Sequence, residues 1–319
     1  MPRVVWVVVA AMALVMAGGI LALDRRQAQR GAPSLFALPW SGARGARPAV
    51  VADPPTGTLP GTGAGLGPAR ARRSDGGPRR IALLVDELGA RGDAFDAVLA
   101  LGRPLTVAIL PELPLSRRLA REAARAGLEV TLELPLEPYG FPAVDPGPGV
   151  LLVSMTPEDV TRRTRRFLAG FPEVSGVTTG MGSRFTEDRA RMRAVLEAVR
   201  GEGRYFVDGM TSGWSVGFDE ARALGLPAAR RQVLLDPDED EATVRERVEE
   251  VERWAQRRGA VLAVAHGRRL TLRLLAEAIP RWEAHGLRLV PVSLLVTPRT
   301  GEPVPAGAPR RSEGSRTGS

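Results

Sequence analysis

From residue 80 onward, short apolar runs rich in β-branched residues alternate with stretches whose apolar positions recur every three or four residues. This is the pattern of a parallel sheet with crossover helices. The runs predict strands over residues 81–85, 106–110, 129–134, 175–178, 205–207, 233–235, 260–265 and 289–292. The helical periodicity predicts helices over 94–101, 115–126, 157–168, 188–200, 241–258 and 270–285. Thr156 before Pro157, with Asp159 following, is an N-cap pattern: the hydroxyl satisfies an orphan amide and proline loses nothing at the first helical position. The succession predicts an α/β fold, one distorted (β/α) barrel over 80–298.

Upstream, residues 4–23 (VVWVVVAAMALVMAGGILAL) are uniformly apolar or small and uncharged, enough to cross the ~30 Å bilayer core as a helix. With only Ala17-Gly18-Gly19 as a small-residue cleavage point, residues 1–23 read as an uncleaved inner-membrane anchor. Arg3 precedes the run and Arg25, Arg26 and Arg30 follow it, which by charge alone would place the downstream side in the cytoplasm. Residues 24–79 are Gly, Pro, Ala and Arg with no sustained period, a flexible tether with one apolar island at 35–40 (LFALPW). The GTGAGLG string at 61–67 follows no strand and opens no helix, so it is not a phosphate loop. Residues 299–319 read as a disordered tail.

Composition narrows the chemistry. The 319 residues include no cysteine and two histidines, His266 and His285. That excludes disulfides, thiolate nucleophiles and sulfur-ligated zinc, and leaves any metal centre dependent on carboxylates. No cofactor is expected beyond a weakly bound divalent ion. The net charge of +8 is not a nucleic-acid footprint, because 30 arginines oppose 31 acids between residues 80 and 298 and the excess lies in the flanks. All 44 basic residues are arginine, and lysine and asparagine are absent, which fits a coding bias better than a phosphate-binding surface.

In a (β/α) barrel, function gathers at the carboxyl ends of the strands. There the sequence places Asp86 and Glu87, Glu112, Glu133 and Glu137, Thr178 to Ser183, Asp208, Asp236, His266 and Ser293. Most of these acids are accounted for as solvated loop carboxylates or helix caps. Asp86-Glu87, directly after an entirely apolar strand, is harder to explain that way. The acidic run at 236–241 (DPDEDE) lacks the spacing and glycine of a calcium loop and reads as acids favoured before a helix. His285, at a helix end before Gly286, suits the helix dipole and is assigned no chemistry.

Seven segments together resemble the divergent polysaccharide deacetylase family: IALLVDELG (81–89), LTVAILPELP (105–114), GLEVTLELPLEP (127–138), DPGPGVLL (145–152), GVTTGMGSRFT (176–186), YFVDG (205–209) and VAHGRR (264–269). Their order and spacing carry the resemblance over nearly all of 80–297. It implies a distorted barrel related to esterases that remove acetyl groups from glycans, exported to the cell envelope. It further implies an aspartate pair after the first strand, one member a general base and the other a metal ligand, with histidines from later loops completing the metal site.

The chain departs from that pattern at several positions. Asp86-Glu87 stands where an Asp-Asp pair is implied, and Thr179-Gly180 stands before Met181-Gly182-Ser183 in place of Asn-His. Glu133 stands where some relatives have a histidine, and Arg268 replaces the second histidine of the last motif. The high-affinity zinc centre is thus expected to be lost. If the protein is catalytic, Asp86 is the expected base and His266 the acid, with Glu87 and His266 as candidate metal ligands and Glu133, Thr179, Ser183 and Asp208, alongside Glu87, as substrate-binding residues. Two readings stay open: an envelope protein that binds glycan, a cell-wall polymer, and hydrolyses acetyl groups from it weakly, and a non-catalytic glycan-binding or scaffold protein with the same mouth.

Overall fold

The computed structural model describes residues 78–296. The anchor expected at 1–23, the linker up to residue 77, with its 35–40 and 61–67 segments, and the tail lie outside the described residues. Among the described residues, no helix is long and apolar enough to cross a membrane.

Nine strands pair exclusively in parallel: β1 (Arg79–Leu88), β2 (Thr106–Ile109), β3 (Glu129–Leu136), β4 (Gly176–Met181), β5 (Tyr205–Asp208), β6 (Ala228–Arg230), β7 (Val233–Leu234), β8 (Ala260–His266) and β9 (Leu287–Val290). Their order is β6-β5-β4-β3-β2-β1-β8-β7, with β9 also on β1. The crossovers carry α1 (Gly92–Ala100), α2 (Ser116–Arg125), α3 (Pro157–Ala169), α4 (Arg189–Gly201), α5 (Gly217–Ala223), α6 (Glu241–Arg258) and α7 (Arg269–Ala284). The two ends of the order, β6 and β7, are joined by Arg231 and Gln232 alone. The Arg231 amide donates to the Asp208 carbonyl of β5 and the Gln232 amide to the Leu262 carbonyl of β8, so one extended segment draws the sheet into a curl.

The predicted strands are present with displaced ends, and β6 and α5 are additions. β3 and β4 run on because their ladder continues to Leu136 and Met181. β9 stops at Val290 because Pro291, lacking an N–H, cannot extend a ladder; Val292–Leu294 form a 3-10 turn instead. Strands of a parallel sheet are buried on both faces, hence their continuous apolar runs. In β1, Ile81, Leu83 and Val85 face the helix layer with Phe95, Leu119 and Trp282, while Ala82 and Leu84 face the inside of the curl with Ala108, Val207, Leu262 and Val264.

The amino end of the curl is fastened by a polar knot. Glu129 Oε1 accepts hydrogen bonds from Tyr205 Oη (2.8 Å), Thr106 Oγ1 (2.8 Å) and the Ser293 amide (3.1 Å). Thr106 Oγ1 in turn accepts from the Val292 amide. Burial, reinforced by Glu129, pushes the Tyr205 phenol well above its usual pKa, so it remains a donor. Gly176 on β4 lies beneath this ring: a Cβ there would sit 2.2 Å from Tyr205 Cε2. Because the ring is tethered by its hydroxyl, Gly176→Ala is expected to destabilise the fold by about 1–3 kcal/mol through overpacking. Urea unfolding followed by circular dichroism measures this, and an unchanged midpoint would refute the tethered-ring account.

Candidate functional site

The carboxyl ends of the strands carry the unusual backbone of the molecule. Four non-glycine residues have left-handed φ angles, Glu87 (59°), Glu112 (59°), Met181 (49°) and Met210 (49°), and each sits at or just beyond the end of β1, β2, β4 or β5. Such conformations cost free energy and concentrate at functional rims. In β1 the register against β2 slips between Val85 and Leu88, a bulge that inserts one residue at the two acids.

The β1–β8 ladder sets Asp86 opposite His266. His266 Nδ1 lies 2.8 Å from Oδ1 of the fully buried Asp236, whose Oδ2 accepts from Thr271 Oγ1 at 2.6 Å. The His266 amide also donates to Asp236. The ring is therefore fixed, with Nε2 directed toward Glu87 Oε1 at 3.6 Å. Burial opposes a charged imidazole, yet the Asp236 hydrogen bond and the charges of Asp86, Asp236 and Glu87 outweigh it and raise the His266 pKa to about 9. An imidazolium held this way is a proton and hydrogen-bond donor.

Glu133, on β3, is buried. Its Oε2 accepts the Glu87 amide at 2.8 Å, pinning the strained residue within the bulge. Its carboxyl occupies the space of a side chain missing from Gly180 on the next strand: a Cβ at 180 would stand 2.3 Å from Glu133 Oε1. Burial pushes the Glu133 pKa up to about 8. Asp86 rises well above the carboxylate range, first through burial and then through Glu133, with His266 opposing. Its Oδ1 is buried without a hydrogen-bond partner. The part-buried Arg231, whose Nη2 donates to the Met210 carbonyl at 2.7 Å, puts a positive charge in the field of Asp86 and Asp208. A cavity of about 550 Å³ opens beside Glu87, between α1 and the start of α7, and includes Arg91, Gly267 and Arg268.

The structure thus brings Asp86, Glu87, Glu133 and His266 together and gives the other sequence candidates different tasks. Asp208 is fully buried and its carboxylate is consumed by the Met210 amide, Ser215 Oγ and the Phe218 amide, so it fastens the loop into α5 instead of facing a substrate. Thr179 Oγ1 accepts the Gly209 amide and Ser183 Oγ the Tyr139 amide, binding neighbouring loops to each other. Glu137 is buried between the Val153 amide and Arg184. Asp236, read in the sequence as an acid leading into a helix, is the partner that orients His266; the helix start is served by Asp240, which accepts the Thr243 amide. Arg231 escaped the sequence reading, since one arginine among 44 carries no signal.

The donor set does not fit the metal centre implied by resemblance. Among the described residues no three His, Asp or Glu side chains are grouped so as to hold a metal ion. The site holds a single imidazole, and Glu133 is buried with one carboxylate oxygen already engaged by the Glu87 amide.

This geometry sits in a chain that belongs to the divergent polysaccharide deacetylase family: the family model matches residues 83–296. The uncharacterized protein YibQ of Escherichia coli K12 is 28% identical over 200 residues, 63% of this chain and 62% of YibQ, so the match spans less than two thirds of that relative. An uncharacterized Haemophilus influenzae Rd protein is 26% identical over 200 residues, 63% of this chain and 71% of its own. The crystal structure of an uncharacterized Agrobacterium tumefaciens C58 protein superposes with a TM-score of 0.64 at 26% identity, covering 71% of this chain and 93% of that one.

The cluster has a pH consequence. Glu133 keeps its proton to about 8 in the folded state and releases it near 4.5 when unfolded, so the folded chain binds the extra proton between those values and stability falls as pH rises through them. His266 acts in the same direction, its stabilising charge complete below 6.5 and lost through about 9. Glu133→Gln retains an acceptor for the Glu87 amide without the ionisation. It is expected to match the parent Tm at pH 5 and exceed it by about 3 °C or more at pH 9. Parallel Tm curves for the two proteins from pH 5 to 9 would exclude a buried, proton-holding Glu133.

Proposed function

We propose that this protein is a cell-envelope glycan-binding protein that holds an acetylated saccharide at the carboxyl rim of its barrel without metal-dependent hydrolysis. The observation that carries this reading is the imidazole of His266, fixed by Asp236 with Nε2 directed toward the half-exposed Glu87 at the edge of the cavity. A hydrogen-bond acceptor and an imidazolium donor remain to grip a polar ligand, while a converging ligand set does not. Glu87, whose side chain is 40% exposed, accepts from a sugar hydroxyl or acetamide N–H, and His266 Nε2 donates to the acetyl carbonyl. A second reading, residual deacetylation with Asp86 as base and His266 as acid, is favoured by the Asp236–His266 pair, which holds the imidazole as a proton donor to a leaving amine or alkoxide.

The purified full-length protein is expected to bind N-acetylglucosamine oligosaccharides saturably while releasing no acetate, with less than stoichiometric metal by elemental mass spectrometry after zinc, cobalt and manganese titration. Stoichiometric metal that is lost in Glu87→Ala or His266→Ala, together with acetate release, would overturn the binding reading and establish the enzyme.

The envelope assignment rests on the family's glycan chemistry and on residues 4–23 as an inner-membrane anchor with the barrel in the periplasm. A C-terminal alkaline phosphatase fusion, active only after export, is expected to be active; activity from a C-terminal β-galactosidase fusion alone would place the barrel in the cytoplasm.

A further inference from the structure

Exposed apolar side chains gather on one part of the rim. Among the described residues, the large hydrophobic side chains standing in solvent are Tyr139 (65% exposed), Val144 (47%), Met181 (42%), Trp214 (81%) and Leu294 (57%). The first four belong to the ends or following loops of β3, β4 and β5, three strands adjacent in the sheet. Scattered exposed hydrophobics need no explanation, but a concentration beside a candidate site does.

These loops are also tied together. Tyr139 Oη donates to Glu187 Oε2 at 2.5 Å, and Ser212 Oγ donates to the other oxygen of the same carboxylate. The Trp214 amide donates to Ser212 Oγ at 3.0 Å, and the Tyr139 amide to Ser183 Oγ at 3.2 Å. One carboxylate between β4 and α4 therefore positions the two exposed aromatic residues, one from the loop on either side. The hydrogen bonds from Ser212 and Tyr139 hold Glu187 below the usual glutamate pKa, so it stays ionised and each oxygen keeps a free acceptor site.

Flat apolar faces beside an anionic acceptor match one ligand chemistry closely. A pyranose ring offers an apolar C–H face to an aromatic ring and hydroxyl donors at its edge, and tyrosine and tryptophan suit such amphipathic surfaces at low entropic cost. The ionised Glu187 disfavours polyanions, and the neighbouring Arg184 is engaged by the buried Glu137.

We propose that Tyr139, Met181, Trp214 and Glu187 form a second saccharide subsite, a platform on the outer edge of the mouth that takes an uncharged pyranose unit of the same chain whose acetylated unit lies at Glu87 and His266. The proposal rests on the glycan-binding reading above and adds the residues that give it reach beyond one sugar. None of the four contributes to the buried carboxyl cluster, so their substitution separates platform from centre.

The test is isothermal titration of the full chain with the N-acetylglucosamine monomer and the β-1,4-linked pentamer. The pentamer is expected to bind the parent at least about tenfold tighter than the monomer, and Trp214→Ala and Tyr139→Ala are each expected to remove about tenfold of pentamer affinity while leaving the monomer unchanged. His266→Ala is expected to weaken both ligands. Because Trp214 is exposed, iodide quenching of the parent compared with Trp214→Phe gives a second readout that needs no alanine variant: pentamer, and not monomer, is expected to protect the Trp214 emission. Unchanged pentamer affinity in Trp214→Ala with an intact His266→Ala effect would overturn the platform and leave the glycan-binding reading standing. Absence of binding by either saccharide to the parent would overturn both.

Discussion

The β1–β8 register is the constraint on which the site depends. Seven consecutive pairs from Arg80 with Ala260 to Asp86 with His266 hold two long buried runs of the sheet side by side. Side chains alternate faces along a strand, so a slip of one residue would exchange the helix-facing Ile81, Leu83 and Val85 for the small Ala82 and Leu84 that the narrow inside of the curl accommodates. The core therefore enforces the register, and the register delivers an acid and an imidazole to the same place. The bulge after Val85 then makes the adjustment that apolar packing cannot, re-aiming the acids once the core has ended.

What the rim does with that pairing is governed by crowding of like charges in a place where water has little access. Asp86 and Glu133 are too buried to ionise freely, and the positive groups within reach, His266 and Arg231, are each divided between partners. The volume exchange between positions 133 and 180 makes this arrangement self-consistent: a longer acid on β3 fills the hole left by glycine on β4 and uses the same carboxyl to secure the Glu87 amide. The result is a compact hydrogen-bonding centre that holds its protons at neutral pH and releases them only above it, Glu133 at about 8 and His266 at about 9.

The existence and order of the strands, the crossover helices and the Thr156 cap were legible in the sequence because they follow from local period and local chemistry; the Thr156 hydroxyl does accept the Asp159 amide. β6 and α5 were not, because a three-residue strand and a seven-residue helix opening on glycine carry too little pattern to register. The site was half legible. Asp86, Glu87, Glu133 and His266 could be named as strand-end residues, but Asp208, Thr179 and Ser183 look identical in sequence to ligand-facing groups and are spent on loop amides. Asp236 could be placed at a strand end, but its role was hidden by the acids that follow it, which do serve a helix start, and its pairing with His266 spans 30 residues of chain that no local rule connects.

The segment that closes the curl has a consequence for motion. Between β5 and β8 the barrel wall is a single chain thickness, held by a three-residue strand, a two-residue strand and the amides of Arg231 and Gln232 between them. Short, weakly paired segments open at lower free energy than the long central ladder. Arg231, which balances the buried acids, lies in this seam, and Asp236, which clamps His266, follows two residues after it ends. Because both residues hang on this one short stretch, any opening of the seam would release the countercharge and the imidazole clamp together and expose the carboxyl cluster to solvent.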